Sequence, residues 1–217
     1  MESDFALTIS WLKSVDSTQT YLLSGLKSKE LQLPICIATS MQSAGNGSRG
    51  NSWDGLEGNL FFSFGINRDD LPEDLKLESS SIYFTYLLKM VLQEAGSTVW
   101  LKWPNDFYLG SKKIGGAITN LTNDALVCGI GLNMKHAPVG FETLDISISQ
   151  NLLLESYFSL LKKRPSWKQI FSKYSLEFDK SKSYFTHNEN LKISLEEAIL
   201  LDDGSIECMG KRMFSLR

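Results

Sequence analysis

The spacing of apolar residues changes period several times along the chain, and each change predicts an element. After Asp16-Ser17-Thr18, a capping signal, Tyr21, Leu22, Leu23 and Leu26 recur at helical spacing, which predicts a helix over residues 17–28. Residues 34–39 form a short apolar run, read as a strand. A polar loop with three glycines follows over 42–52, and then a strand over 58–66. Its Leu60-Phe61-Phe62 run implies that both faces are buried. Beyond an acidic connector (69–78), Ile82, Tyr83, Tyr86, Leu87, Met90 and Val91 repeat with the 3.6 period. Phe84, Leu88 and Leu92 widen that face, so this helix is expected to lie deep and to stop at Gly96.

The next block reads as sheet. Residues 98–103 make a strand broken by Pro104, and 107–109 and 112–121 flank Gly110-Ser111, a two-residue hairpin turn. A turn at 122–124 leads into a strand over 125–134. Two helices are predicted over 151–163 and 166–179, separated by Pro165. Short β-like runs at 191–195, 198–201 and 205–209 suggest a small appendage over 181–217, too short for a sizeable core of its own. The sum is an α+β architecture: a main unit (1–180) with a mixed sheet backed by helices, then a β tail.

Composition narrows the function classes. The 217 residues are 42% apolar and 22% charged, enough to bury a core. Net charge is −3, which argues against a dedicated nucleic-acid-binding protein. The balance is uneven: 11 basic and 17 acidic residues up to 161 (net −6), then 11 and 8 beyond (net +3). No export signal or membrane-length apolar run is visible, so a cytoplasmic protein without membrane attachment is expected. Three cysteines in unrelated contexts read as reduced thiols, and two distant histidines without a CxxC motif argue against a protein-built metal site.

Four segments carry candidate chemistry. In Gly45-Asn46-Gly47-Ser48-Arg49-Gly50-Asn51-Ser52-Trp53 the glycines let backbone N–H groups converge on an anion, and Arg49 adds a charge. The loop is neither a P-loop nor a dinucleotide fingerprint. In Lys102-Trp103-Pro104-Asn105-Asp106 a lysine ends an apolar strand and can direct its ammonium into a cleft. Lys113-Ile114-Gly115-Gly116 and Gly129-Ile130-Gly131-Leu132-Asn133 are glycine-thinned strands, open to close approach or to a bulge. Singly, each segment has an ordinary structural explanation.

In this order, with Val15-Asp16-Ser17-Thr18-Gln19 ahead of them, the segments resemble the bacterial biotin protein ligases (biotin–[acetyl-CoA-carboxylase] ligase). The likeness runs from about residue 15 to 134. The Asp-Ser-Thr segment starts at Asp16, leaving no room before it for a helix-turn-helix. The resemblance is therefore to the monofunctional form without a DNA-binding domain.

The resemblance implies a class II synthetase-like catalytic domain with a reduced, SH3-like tail. It implies ATP-dependent formation of biotinyl-5′-AMP and transfer of biotin to a lysine of the biotin carboxyl carrier protein. Mg²⁺ would accompany the ATP, and the enzyme would be a monomer or homodimer that binds no DNA. It assigns Lys102 as the cation bridging biotin carboxyl and α-phosphate, with Lys113 second. Biotin would meet Ser17, Thr18, Gln19, Gln42, Asn46, Gly47, Ser48, Gly115 and Gly116. ATP would meet Gly45, Arg49, Gly50, Trp53, Asn105 and Asn133.

The usual loop pattern is close to GRGRxGRxW, whereas positions 46, 48 and 51 are here Asn, Ser and Asn. Weaker retention of the adenylate is expected from the missing charges. A lipoate or octanoate ligase, and a non-catalytic biotin sensor, are the competing expectations.

Overall fold

The computed structural model describes residues 6–47, 52–122, 125–188 and 191–215. Its centre is a seven-stranded sheet. In chain order the strands are β1 (Thr8–Leu12), β2 (Ile35–Thr39), β5 (Leu60–Asn67), β6 (Trp100–Lys102), β7 (Asp106–Leu109), β8 (Lys112–Thr122) and β9 (Ala125–Leu132). Two short strands, β3 (Gly45–Asn46) and β4 (Ser52–Trp53), pair as a separate hairpin. The sheet order is β1-β2-β5-β9-β8-β7-β6, with β1 parallel to β2 and every other neighbour antiparallel.

Alternation along β5 divides the two faces. Leu60, Phe62, Phe64 and Ile66 enter the main core, while Phe61 and Ser63 face a cavity on the other side. Helix α1 (Thr18–Ser28) crosses the cavity side, burying Leu22 against Ile37 and Val127. Helices α2 (Ser80–Glu94), α3 (Gln150–Lys162) and α4 (Trp167–Glu177) cover the opposite face. There Phe62 and Phe64 meet Phe84, Tyr157 and Phe158 edge-on. Each fully buried ring of this kind contributes about 2–3 kcal/mol. Helix α2 is buried nearly all round because α4 lies on it as well. Lys89 on α2 and Glu177 at the end of α4 pair at 2.9 Å inside that contact.

The capping signal before the first helix acts where the sequence places it. Ser17 caps α1 by accepting from the Thr20 N–H, and α4 opens with a capping box between Ser166 and Gln169. Gly96, at φ +99°, ends the chain's run through α2.

Beyond a 3-10 segment (Phe178–Ser183) come five short strands: β10 (Phe185–Asn188), β11 (Leu191–Ser194), β12 (Ile199–Leu200), β13 (Ile206–Cys208) and β14 (Lys211–Met213). They form a hairpin (β10-β11) and a three-stranded sheet (β12-β13-β14). Leu195, Ala198, Ile206, Cys208 and Met213 belong to the same buried cluster as the main sheet. The Asp202–Gly204 turn is fastened to that body: the Trp167 and Trp103 indoles donate to the Asp202 and Gly204 carbonyls, both at 2.8 Å. No helix among the described residues is long and apolar enough to cross a membrane.

The strand at the start of the chain was not expected. Thr8–Leu12 alternates over only five residues, and its pairing with β2 is long-range. Strands β10 and β14 also went unread, being polar and stabilised by their neighbours.

Candidate active site

The cavity lies between the start of α1, the β3–β4 pair and the centre of the sheet, an open space of about 460 Å³ that includes its mouth to solvent. Strand alternation makes its floor: on β9 Gly129 and Gly131 face the cavity, and on β8 Gly116 stands opposite Gly131. A methyl at Gly131 would lie 3.0 Å from Trp53 Nε1, and one at Gly129 would lie 2.5 Å from Gln19 Oε1. The glycines keep the floor open between those side chains.

One end of the cavity is neutral and polar. Thr18 uses its backbone N–H and its hydroxyl to reach Gln42 Oε1, at 2.8 and 3.1 Å, and its hydroxyl meets Ser63 Oγ at 2.8 Å. Asn46 donates to Ser17 Oγ at 3.3 Å and Thr20 Oγ1 at 2.9 Å, tying the β3–β4 hairpin to α1. All these groups are uncharged, with both donors and acceptors available.

The other end is cationic. Asp106, paired opposite Lys102 across the β6–β7 hairpin, lines the cavity and lies between two ammonium groups. Lys113 Nζ is 2.6 Å from Asp106 Oδ1, and Lys102 Nζ is 3.2 Å from Oδ2. Burial would raise the Asp106 carboxyl, but Lys113 and then Lys102 outweigh it and hold it below the usual aspartate range. The Lys113 ammonium also lies 5.4 Å from the Trp53 ring centre, and Lys102 lies 5.8 Å from that of Tyr108.

Of the residues singled out from sequence, Ser17, Thr18, Gln19, Gln42, Asn46, Gly47, Trp53, Lys113 and Gly116 line this cavity. Others do not. Lys102, expected to be the leading cation, sits behind Asp106 with its side chain only 9% exposed, whereas Lys113 reaches the cavity. Lys113, farther along the β-ribbon, is the lysine that stands over the floor, its Nζ 3.3 Å from where a Gly116 Cβ would lie.

Gly115 faces away from the cavity, because strand alternation turns it toward Leu132 and Phe107 in the core. Gly45 forms the base of the hairpin opposite Trp53, where a Cβ would meet the Trp53 carbonyl at 2.6 Å. Asn105 is structural in its contacts, its side-chain amide donating to the Ala117 carbonyl. Asn133 is fully buried beside the cavity and donates to the Glu142 carbonyl at 3.4 Å, its Oδ1 without a partner among the described residues. Ser48, Arg49 and Gly50 lie outside the described residues.

Sequence reasoning did not select Asp106, Ser63 or Phe61. A signal was there for the first two: Asp106 closes the Lys102 segment, and Ser63 is a polar interruption in an otherwise apolar buried strand.

Comparison with known proteins points in the same direction. The model of the biotin/lipoate A/B protein ligase family matches residues 11–134. The bifunctional ligase/repressor BirA of Escherichia coli is 35% identical over 134 residues, covering 58% of this chain and 40% of that protein. The chain thus spans less than half the length of the curated relatives it matches. A Helicobacter pylori biotin acetyl coenzyme A carboxylase synthetase, solved with bound biotinylated ATP, is similar at 43% identity. Its TM-score is 0.92, covering 96% of this chain and 100% of that one. The Aquifex aeolicus biotin protein ligase, solved with biotin and ATP, shares the fold at 22% identity and a TM-score of 0.74, covering 97% and 96% of the two chains.

Proposed function

The chain belongs to the biotin/lipoate A/B protein ligase family, and from that premise we propose that it joins biotin to ATP and passes the biotinyl group to a carrier protein. The first step forms biotinyl-5′-AMP and releases pyrophosphate. The second makes an amide with one lysine of the biotin carboxyl carrier domain of acetyl-CoA carboxylase. We place the reaction in the cytoplasm as part of the same proposal.

The observation that carries the reading is the order of polarity along the cavity. A neutral hydrogen-bonding end and an open floor lead to an ammonium group at the far end. This order suits a ligand with a neutral polar ring at one end and a carboxylate at the other, as biotin has.

In the first step the carboxylate oxygen attacks the α-phosphorus, and two anions must approach in line. We assign Lys113 to that meeting point. Its ammonium is held by Asp106 at 2.6 Å and can exchange part of that contact for the incoming carboxylate and phosphate oxygens. Lys102 supplies a second positive charge from behind Asp106 and keeps the local field favourable as Lys113 turns. Such preorganised donors are commonly worth about 3–4 kcal/mol each in a transition state.

Trp53 and Asn133 are assigned to the nucleotide, as are Arg49 and Gly50, with Ser48 completing the biotin loop. The described residues hold no group of three His, Cys, Asp or Glu side chains fit to cage a metal. Magnesium would therefore enter on the triphosphate.

In the second step the carrier amine attacks the acyl carbon and AMP departs with the electron pair. The mixed anhydride already contains a good leaving group, so no enzyme nucleophile is needed.

ATP–pyrophosphate exchange tests the reading. Biotin should support exchange, and lipoate and octanoate should not. Exchange driven by lipoate or octanoate and not by biotin would replace this reading with that of a lipoyl-type ligase.

A further inference from the structure

Trp103 follows Lys102 directly and opens the turn that ends at Asp106, yet it is fully buried and lines no part of the cavity. Strand β6, which carries Lys102, is three residues long and ends the seven-stranded sheet, with β7 its one strand neighbour among the described residues. One-sided pairing over so short a strand is a weak hold on a charge that must be placed closely. The chain beyond α4 supplies the rest. The Trp103 backbone N–H donates to Ser181 Oγ at 3.0 Å, and its indole donates to the Gly204 carbonyl at 2.8 Å. Ser181 and Gly204 are both buried.

The Gly204 carbonyl belongs to a turn in which three consecutive carbonyls accept from three parts of the main body. Asp202 accepts from the Trp167 indole, Asp203 from Ser79 Oγ at 2.6 Å, and Gly204 from Trp103. The turn is also stiffened from within. The buried Asp203 carboxylate accepts from the Ser205 N–H at 3.0 Å and the Ser205 hydroxyl at 2.6 Å, and it pairs with Arg212. Hydrogen bonds to an ionised group are about twice as strong as neutral ones, so Gly204 meets Trp103 from a firm base.

We propose that Ser181 and the Asp202–Gly204 turn are the positioning device of the adenylation site. By fixing Trp103 they set where Lys102 and Asp106 stand, and through Asp106 where the Lys113 ammonium is held. The inference rests on the biotin ligase reading above and gives a part in the reaction to residues that line no part of the cavity. Misplacement of a reacting group by about 1 Å, caused from a distance, can lower a rate by about a hundredfold. Ligand affinity should be spared. The neutral end of the cavity is built from α1 with Gln42, Asn46 and Ser63, so recognition of the ligand ring does not pass through Trp103.

Single-turnover formation of biotinyl-AMP by the whole protein, at saturating biotin and ATP, tests this. Trp103→Phe and Trp167→Phe each remove one indole donor to the same turn, and urea midpoints read the stability that each loses. The rate constant should fall about 10–100-fold in Trp103→Phe and less than about threefold in Trp167→Phe. Calorimetric biotin affinity should change by less than about threefold in both. Ser181→Ala removes the other hold on Trp103 and should lower the rate about tenfold.

Equal falls in rate in the two tryptophan variants would show general loosening of the fold and overturn the inference. A loss confined to biotin affinity, or a Ser181→Ala rate within about twofold of wild type, would overturn it as well. If Trp103→Phe fails to fold, Ser181→Ala decides. Wild-type protein that activates lipoate or octanoate and not biotin would instead overturn the functional reading, and the same variants measured with that acid then decide this inference.

Discussion

Replacing Asp106 by Asn removes the negative charge between two cations while keeping the size of the side chain. Asp106, Lys113 and Lys102 have side chains 19%, 25% and 9% exposed, so the cluster is largely withdrawn from water. Breaking a buried pair by removing one partner typically costs about 3–5 kcal/mol. The low end, about 3 kcal/mol, is expected here, because Lys113 retains a path to solvent and the new amide can still accept one hydrogen bond.

The pH dependence has a definite sign. The folded Asp106 carboxyl is held below its unfolded value of about 3.9. Its stabilisation is therefore complete above that value and is lost as pH falls through the folded one. In urea at pH 7, with a slope of about 2–3 kcal/mol per molar, the midpoint should drop by roughly 1–1.5 M. The gap between wild type and variant should narrow as the medium is made more acidic. Midpoints within about 0.3 M of each other at pH 7, or a gap that widens in acid, would refute the reasoning.

Three further outcomes are expected. Gly131→Ala puts a methyl 3.0 Å from Trp53 Nε1 and 3.1 Å from Cε2, so the indole must move; in exchange assays the KM for ATP should rise about tenfold, and an unchanged KM would contradict the assignment of Trp53 to the nucleotide. Phe64→Ala empties a fully buried site among Phe62, Phe84, Tyr157 and Phe158, and chemical denaturation should show a loss of about 3–5 kcal/mol. The uncharged residues at 46, 48 and 51 should let biotinyl-AMP escape. A non-cognate protein incubated with enzyme, biotin and ATP should then become visible on a streptavidin blot, and a blank bystander lane beside a strong carrier band would contradict this.

The parts of the fold legible in the sequence were those with a local cause. Ser17 ahead of a helical repeat, Gly110-Ser111 between two strands, and the continuous apolar run of β5 each announce an element within a dozen residues. What could not be read depends on distant partners. β1 exists because β2 lies beside it, and β14 because β13 does. The site follows the same division. Motifs brought most of the cavity wall to notice, yet only the pairing of β7 with β6 on one side and β8 on the other shows Asp106 standing between the lysines. Similarly, Gly115 and Gly116 look equivalent as letters, and alternation sends one to the core and the other to the cavity. That Lys113 lines the cavity while Lys102 sits behind Asp106 is a three-dimensional fact of the same kind.

Lys113 is the proposed cation that brings carboxylate and α-phosphate together. Single-turnover formation of biotinyl-AMP should be measured for wild type, Lys113→Ala and Lys102→Ala at saturating biotin and ATP. The rate constant should fall about 10²–10³-fold in Lys113→Ala, the usual cost of losing one transition-state donor, and by less in Lys102→Ala. A Lys113 variant that forms the adenylate at the wild-type rate, while the Lys102 variant does not, would contradict it.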